Sequence, residues 1–142
     1  MKASSERYAI DANVILRYVV RDVEEQYQKA VVILNAVQDE EIEVLCDPVT
    51  LAEVVFVLGK VYGLPRQQIR DGLSPIVAAK AFHIPDKARY VRALELYAAS
   101  VPHFGDACAC AAALEGCGGK LLSFDKSLTR TTGIKRLESA GE

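Results

Sequence analysis

No apolar run in this sequence approaches the roughly 18 residues of a membrane span, which excludes a membrane-crossing role. The opening stretch MKASSERYAI has neither a long apolar segment nor a cleavage pattern for export, so the expected compartment is the cytoplasm. Cysteine is sparse. Cys46, Cys108, Cys110 and Cys117 include no C-x-x-C pair, and without an export signal a disulfide scaffold is not expected. Cys108 and Cys110 stand two apart, do not share a helical face, and read as small core residues; a zinc site joining them to His103 has poor spacing. Aromatic residues make up 7% of the chain and form no platform for stacking several bases. An excess of positive charge is missing too. Seventeen Lys and Arg face nineteen Asp and Glu, a net charge of -2. That argues against binding nucleic acid through an overall positive field, but not against a local site. Repeats, low-complexity tracts and internal linkers are also absent, so the 142 residues are expected to form one domain, 1–142.

What is present is an ordinary globular composition, 51% hydrophobic and 25% charged, patterned as alternating strands and helices. Tyr8 to Ile10 reads as a first strand. Helices are expected over 13–20 and 24–38, the second with Tyr27, Val31, Leu34 and Val37 on one face. A strand over 43–46 leads into Asp47-Pro48, an N-cap followed by proline at the first helical position. That helix should run to about Tyr62, stopped by Gly63 and Pro65. Two more helices are expected over 66–79 and 87–100, around a strand at 81–84. An alanine-rich helix over 105–115 ends in glycines, followed by a strand over 120–124 and a weak one over 134–137. Strands separated by helices point to a parallel α/β sheet, in which ligands bind beyond the carboxyl ends of the strands.

Asp11 and Asp125 each follow such a strand. Two further acids stand out by their surroundings. Glu53 lies in the helix Leu51 to Leu58, apolar on nearly all sides and therefore expected to be buried. Asp106 opens the run Ala107 to Leu114, also expected to be a buried helix. Each acid has an ordinary alternative reading. Asp11 can cap the helix after it, Thr50-x-x-Glu53 fits a capping box, Asp106 suits a helix first turn, and Asp125 can begin a turn. Taken together, the four occur where the expected fold can bring them into one cleft. Convergent carboxylates repel unless a cation neutralises them, and hard oxygen ligands suit Mg²⁺ or Mn²⁺ rather than zinc or copper. Such a site fits phosphodiester hydrolysis, and the cation also bridges an acidic pocket to an anionic backbone.

Asp11-Ala12-Asn13-Val14-Ile15-Leu16-Arg17, Leu51-Ala52-Glu53-Val54-Val55, Phe104-Gly105-Asp106-Ala107 and Leu122-Ser123-Phe124-Asp125 resemble the four acidic motifs of PIN-domain nucleases, most of all the VapC toxins of toxin–antitoxin pairs. The likeness covers about Arg7 to Leu137, with motif order and spacing kept; Tyr62-Gly63-Leu64 and the Arg92 to Tyr97 helix share it. It implies a three-layer α/β/α fold with a central, mostly parallel sheet of four to five strands. It implies an Mg²⁺- or Mn²⁺-dependent endoribonuclease, with Asp11, Glu53, Asp106 and Asp125 as the metal-holding and catalytic acids. Asn13 matches the position that orients the first aspartate, and Ser123 a hydroxyl position beside the last acid. It also implies a homodimer and a small VapB-type antitoxin whose peptide fills a groove lined by the helices over 13–38 and 48–62.

The sequence departs from that pattern at Ala12, where a hydroxyl residue is common, and at His103 and Ser127, where further acids are common. The four-acid set is untouched. His103 reads as a surface or packing residue, or else a phosphate contact; His83 reads as structural. For the RNA backbone, Lys126 and Arg130 are the preferred contacts, with Lys120, Lys135, Arg17 and Arg21 nearby and Thr129, Thr131 and Thr132 as hydroxyl donors. Recognition by RNA shape and phosphate fits this set better than a linear base code. Rival readings are a catalytically silent PIN-fold scaffold or protein-binding module, and a phosphoryl-transfer receiver-like domain. The receiver reading needs an aspartate after a mid-chain strand, where this chain has Glu53 inside a helix.

Overall fold

The computed structural model describes residues 6–141. The first half of the stretch read for an export signal, MKASS, and the last residue of the expected 1–142 domain lie outside the described residues. The chain divides into two compact units, with the boundary between Lys87 and Ala88.

The first unit runs β1 (Arg7–Ala9), α1 (Ala12–Val19), α2 (Glu24–Gln38), β2 (Glu43–Leu45), α3 (Pro48–Lys60), α4 (Arg66–Ala78) and β3 (Phe82–His83). Its strands form a parallel sheet in the order β1-β2-β3, with Tyr8 opposite Val44 and Val44 opposite Phe82. Parallel neighbours need crossovers, and the helix pairs α1–α2 and α3–α4 supply them. One face of each helix is apolar and is buried: Ile15 and Leu16 on α1, Leu34 and Val37 on α2, Leu51, Val54 and Leu58 on α3, Ile69 and Leu73 on α4. Across the sheet, Glu43 takes a 2.6 Å contact from His83 Nε2 and a 3.5 Å contact from Arg7.

Asp47 starts α3 as expected, its carboxylate accepting the Val49 N–H at 2.8 Å with Pro48 in the first turn. Gly63, at φ +65°, takes the left-handed turn that follows. The burial expected of α3 needs correction. Val49 is 75% and Phe56 62% exposed, while Leu58 on the opposite side is 0% exposed. A helix apolar all round still packs only the face its neighbours reach. Ala52 and Glu53 lie on the open side.

The second unit holds most of α5 (Lys87–Ala99), then α6 (Phe104–Gly116), β4 (Lys120–Leu122), a 3-10 helix (Lys126–Arg130) and β5 (Lys135–Leu137). β4 and β5 pair in parallel, with Lys120 opposite Lys135 and Leu122 opposite Leu137. The five expected strands are thus present, but as a three-stranded and a two-stranded sheet. Gly119 fixes the approach to β4. It sits at φ +83°, and a Cβ there would collide with the Gly133 carbonyl oxygen. α5 and α6 are joined by the Arg89–Glu115 ion pair at 2.8 Å and by an edge-on contact of the Tyr97 and Phe104 rings. The α6 helix is not buried all round either: Phe104, Ala107, Cys110, Ala111 and Ala113 are buried, while Ala109 is exposed. All four cysteines are free thiols. Cys110 is a core residue as expected, whereas Cys108, expected in the core as well, is only half-buried because its side of α6 is not fully covered; Cys46 is buried and Cys117 is exposed.

Candidate functional site

The four acids fall two to a unit. In the first, Asp11 follows the carboxyl end of β1, where the chain turns into α1. It occupies the N-cap position, yet its side chain makes no capping hydrogen bond; the Asp11 carbonyl alone engages the helix, through Val14 N–H at 3.2 Å. The contrast with Asp47 is direct, since that carboxylate is spent on its cap. Asn13 is exposed beside Asp11, and among the described residues its side chain makes no hydrogen bond to it. Glu53 stands about a turn and a half into α3, on the open face rather than in the buried position expected of it. Both helices leave the carboxyl edge of adjacent parallel strands, so their N-terminal ends share that edge. A cavity of about 590 Å³ lies along the same edge, lined by Ile10, Leu45, Cys46, His83 and Lys87 among others.

In the second unit, Asp106 is the third residue of α6, half-buried in its first turn, where the helix dipole favours a carboxylate. Asp125 follows β4 and opens the 3-10 helix. Its Oδ1 accepts from Ser127 N–H at 3.0 Å and Ser127 Oγ–H at 2.7 Å, an Asx-type turn. Oδ2 makes no hydrogen bond among the described residues. The Ser127 hydroxyl, then its N–H, and then the charges of His103 and Arg136 hold the Asp125 carboxyl below its usual 3.8. Ser123 works on the backbone: its Oγ accepts the Asp125 N–H at 3.0 Å, and its carbonyl accepts from Arg136 at 2.8 Å.

Among the described residues, Asp11, Glu53 and Asp106 make no side-chain hydrogen bond or ion pair. Glu41 is alike in this and lies just before the amino end of β2. Most other acids are committed elsewhere: Asp22 to Arg17 and Tyr62, Glu24 to Arg21, Glu43 to His83, Asp71 to Arg70, Glu115 to Arg89. The sequence-marked acids are therefore available to a ligand. Among the described residues, no three Asp, Glu, His or Cys side chains are gathered closely enough to hold a metal ion.

The basic residues separate cleanly. Lys126 and Arg130 are exposed and in no ion pair among the described residues, as are Lys120 and Lys135. Arg17 and Arg21 are not available in this way. Arg17 donates to Gln26, Asp22 and Tyr62, while Arg21 pairs with Glu24 at 2.6 Å and lies over the Tyr27 ring. Of the threonines, Thr131 is buried and bonded to Cys110, and Thr129 accepts from Arg136; Thr132 is exposed.

Two roles lie beyond the sequence reading. Ser127 stands there only as a position where an acid is common, although Asp-x-Ser is the spacing of a side-chain turn. Tyr62 stands there as a helix end and as part of Tyr62-Gly63-Leu64, while its hydroxyl is the centre of a polar corner with Arg17 and Asp22.

A family model for the PIN domain matches residues 8–134, which spans all four acids and both units. No curated protein matches the chain significantly.

Proposed function

The chain belongs to the PIN-domain family, and on that premise we propose that it is an Mg²⁺- or Mn²⁺-dependent endoribonuclease, the VapC-like toxin of a type II toxin–antitoxin pair. The observation that carries this reading is the state of the acids: Asp11, Glu53 and Asp106 are unspent, and Asp125 is held by Ser127 through one oxygen only. The donor set fits a hard divalent cation, being carboxylate oxygens without a sulfur or imidazole among them. When bound, the cation supplies Lewis acidity at the phosphoryl group and makes water a competent nucleophile near neutral pH.

The chain's own residues then have distinct tasks. Asp11, Glu53, Asp106 and Asp125 hold the cation as one set, with residues 1–142 acting as a single PIN-like domain. Ser127 keeps Asp125 ionised and aimed, and Ser123 fixes its backbone. Asn13 orients Asp11 in the loaded state. Lys126 and Arg130, exposed on the 3-10 helix that Asp125 opens, grip the RNA phosphates.

In this reading the protein is a cytoplasmic homodimer whose activity is restrained by a small VapB-type antitoxin. The exposed apolar residues Val49 and Phe56 on α3 support a helix-in-groove contact with that partner. The test is growth arrest on expression, relieved by co-expressing the product of a small neighbouring reading frame, together with cleavage of RNA by the purified protein in Mn²⁺. Arrest that persists in Asp106→Asn would instead mark a non-catalytic scaffold.

A further inference from the structure

The charge of this chain is unevenly placed. Residues 117–137 hold Lys120, Lys126, Arg130, Lys135 and Arg136 against the single acid Asp125, a local +4 in a chain of net charge -2. Arg136 is spent on Thr129, the Ser123 carbonyl and Glu138. The other four are exposed, without an ion pair among the described residues.

Lys120 and Lys135 are direct partners in the parallel register of β4 and β5. Opposed residues send their side chains out of the same face of a ladder, about 5 Å apart at Cβ, and like charges placed so repel. The register at this end is pinned. Lys135 N–H donates to the Gly119 carbonyl at 2.7 Å, and Gly119 is closed against Gly133. The backbone thus holds the two lysines as neighbours at Cα, and an anion bound between their side chains turns the repulsion into attraction.

We propose that Lys120 and Lys135 form a phosphodiester-binding pair, a second contact for the RNA backbone distinct from Lys126 and Arg130. Its ligand class, a phosphodiester strand, rests on the ribonuclease reading. Lys120 opens β4 while Asp125 follows its far end, so at about 3.3 Å per residue the pair stands roughly 15 Å from the acid along the strand direction. A strand contacting both ends passes over several phosphates. Lysine ammonium is a compact point charge that pairs with phosphate or carboxylate alike, so competition by an acidic peptide is part of the test.

The test is binding of a short fluorescein-labelled single-stranded RNA to the 142-residue chain in EDTA, where no turnover is expected, across a salt series. Against wild type, K120Q/K135Q should bind roughly tenfold more weakly, and its log–log salt slope should fall by about 1.4, two phosphate contacts at ~0.7 each. Its thermal midpoint should stay or rise, because repulsion is removed; K29Q, on α2, should change nothing. Unchanged affinity and slope in the double variant overturn the proposal. So does equal competition by polyglutamate of matched charge, which would make the pair an acidic-peptide site. A wild-type protein that shows the lysine-dependent slope but never cleaves RNA in Mn²⁺ would overturn the nuclease reading and leave the pair standing.

Discussion

Arg17 Nη1 donates to the Tyr62 hydroxyl at 2.9 Å, and that hydroxyl donates onward to Asp22 at 3.0 Å. Arg17 also reaches Asp22 at 3.2 Å and Gln26 at 2.9 Å. This corner joins the last turn of α1, the turn before α2 and the chain just beyond α3. Asp11 begins α1 and Glu53 rides on α3, so the corner braces the two helices that carry the first unit's acids. Tyr62→Phe removes the bridge but leaves Arg17 paired with Asp22. It should lower the thermal midpoint by about 3 °C, and it should weaken Mn²⁺ binding measured by calorimetry. Unchanged values for both would show that the corner braces nothing.

The elements of this fold are largely legible in the sequence because local chemistry marks their ends. Asp47-Pro48 announces α3, and the apolar period of α2 gives Glu24–Gln38. Burial was less legible. Composition showed that α3 is apolar, but which face its neighbours cover is a tertiary fact, and Glu53 proved exposed. The 3-10 helix over Lys126–Arg130 is too short for a periodic signal, and so the role of Ser127 went unread. The four acids stood out by position, but only the structure distinguishes the unspent carboxylate of Asp11 from the capping one of Asp47.

Ser127→Ala should return the Asp125 carboxyl toward its ordinary 3.8, because the Oγ–H bond that most depresses it is lost. A carboxyl depressed in the folded state stabilises the fold above its unfolded pKa, and that contribution disappears as pH falls through the folded value. The variant should therefore be less stable than wild type at neutral pH, with the difference closing below pH ~3.8. Carboxyl-detected NMR titration checks the shift, and urea melts at several pH values check the linkage. An Asp125 titration that does not move would reject the assignment of Ser127.

The two capping aspartates should part company on mutation. Asp47→Ala removes a made cap and should cost about 1 kcal/mol of stability, with RNA cleavage retained. Asp11→Asn removes no hydrogen bond and should leave the fold at least as stable, yet lose cleavage by ~10²-fold or more. Denaturant melts and a gel-based cleavage assay separate the outcomes. Comparable stability losses at both sites would mean that Asp11 is a structural cap after all.

Thiol chemistry should follow exposure. Burial pushes the Cys46 and Cys108 thiols up to about 11, and Cys110 is raised by the same cause. Iodoacetamide at pH 7.5 should therefore modify the exposed Cys117 first, with the rest reacting only on unfolding. Peptide mass mapping over time reads this order, and early labelling of Cys46 would contradict its burial.

In the proposed function, Asp11, Glu53, Asp106 and Asp125 act together on RNA through a divalent cation. The most direct measurement is cleavage of a labelled RNA by purified protein, freed of any partner, with and without Mn²⁺, beside Asp11→Asn and Asp106→Asn, one substitution from each unit. Cleavage is expected with Mn²⁺, none in EDTA, and none in either folded variant. Full activity in either variant, or cleavage that ignores EDTA, would contradict that function.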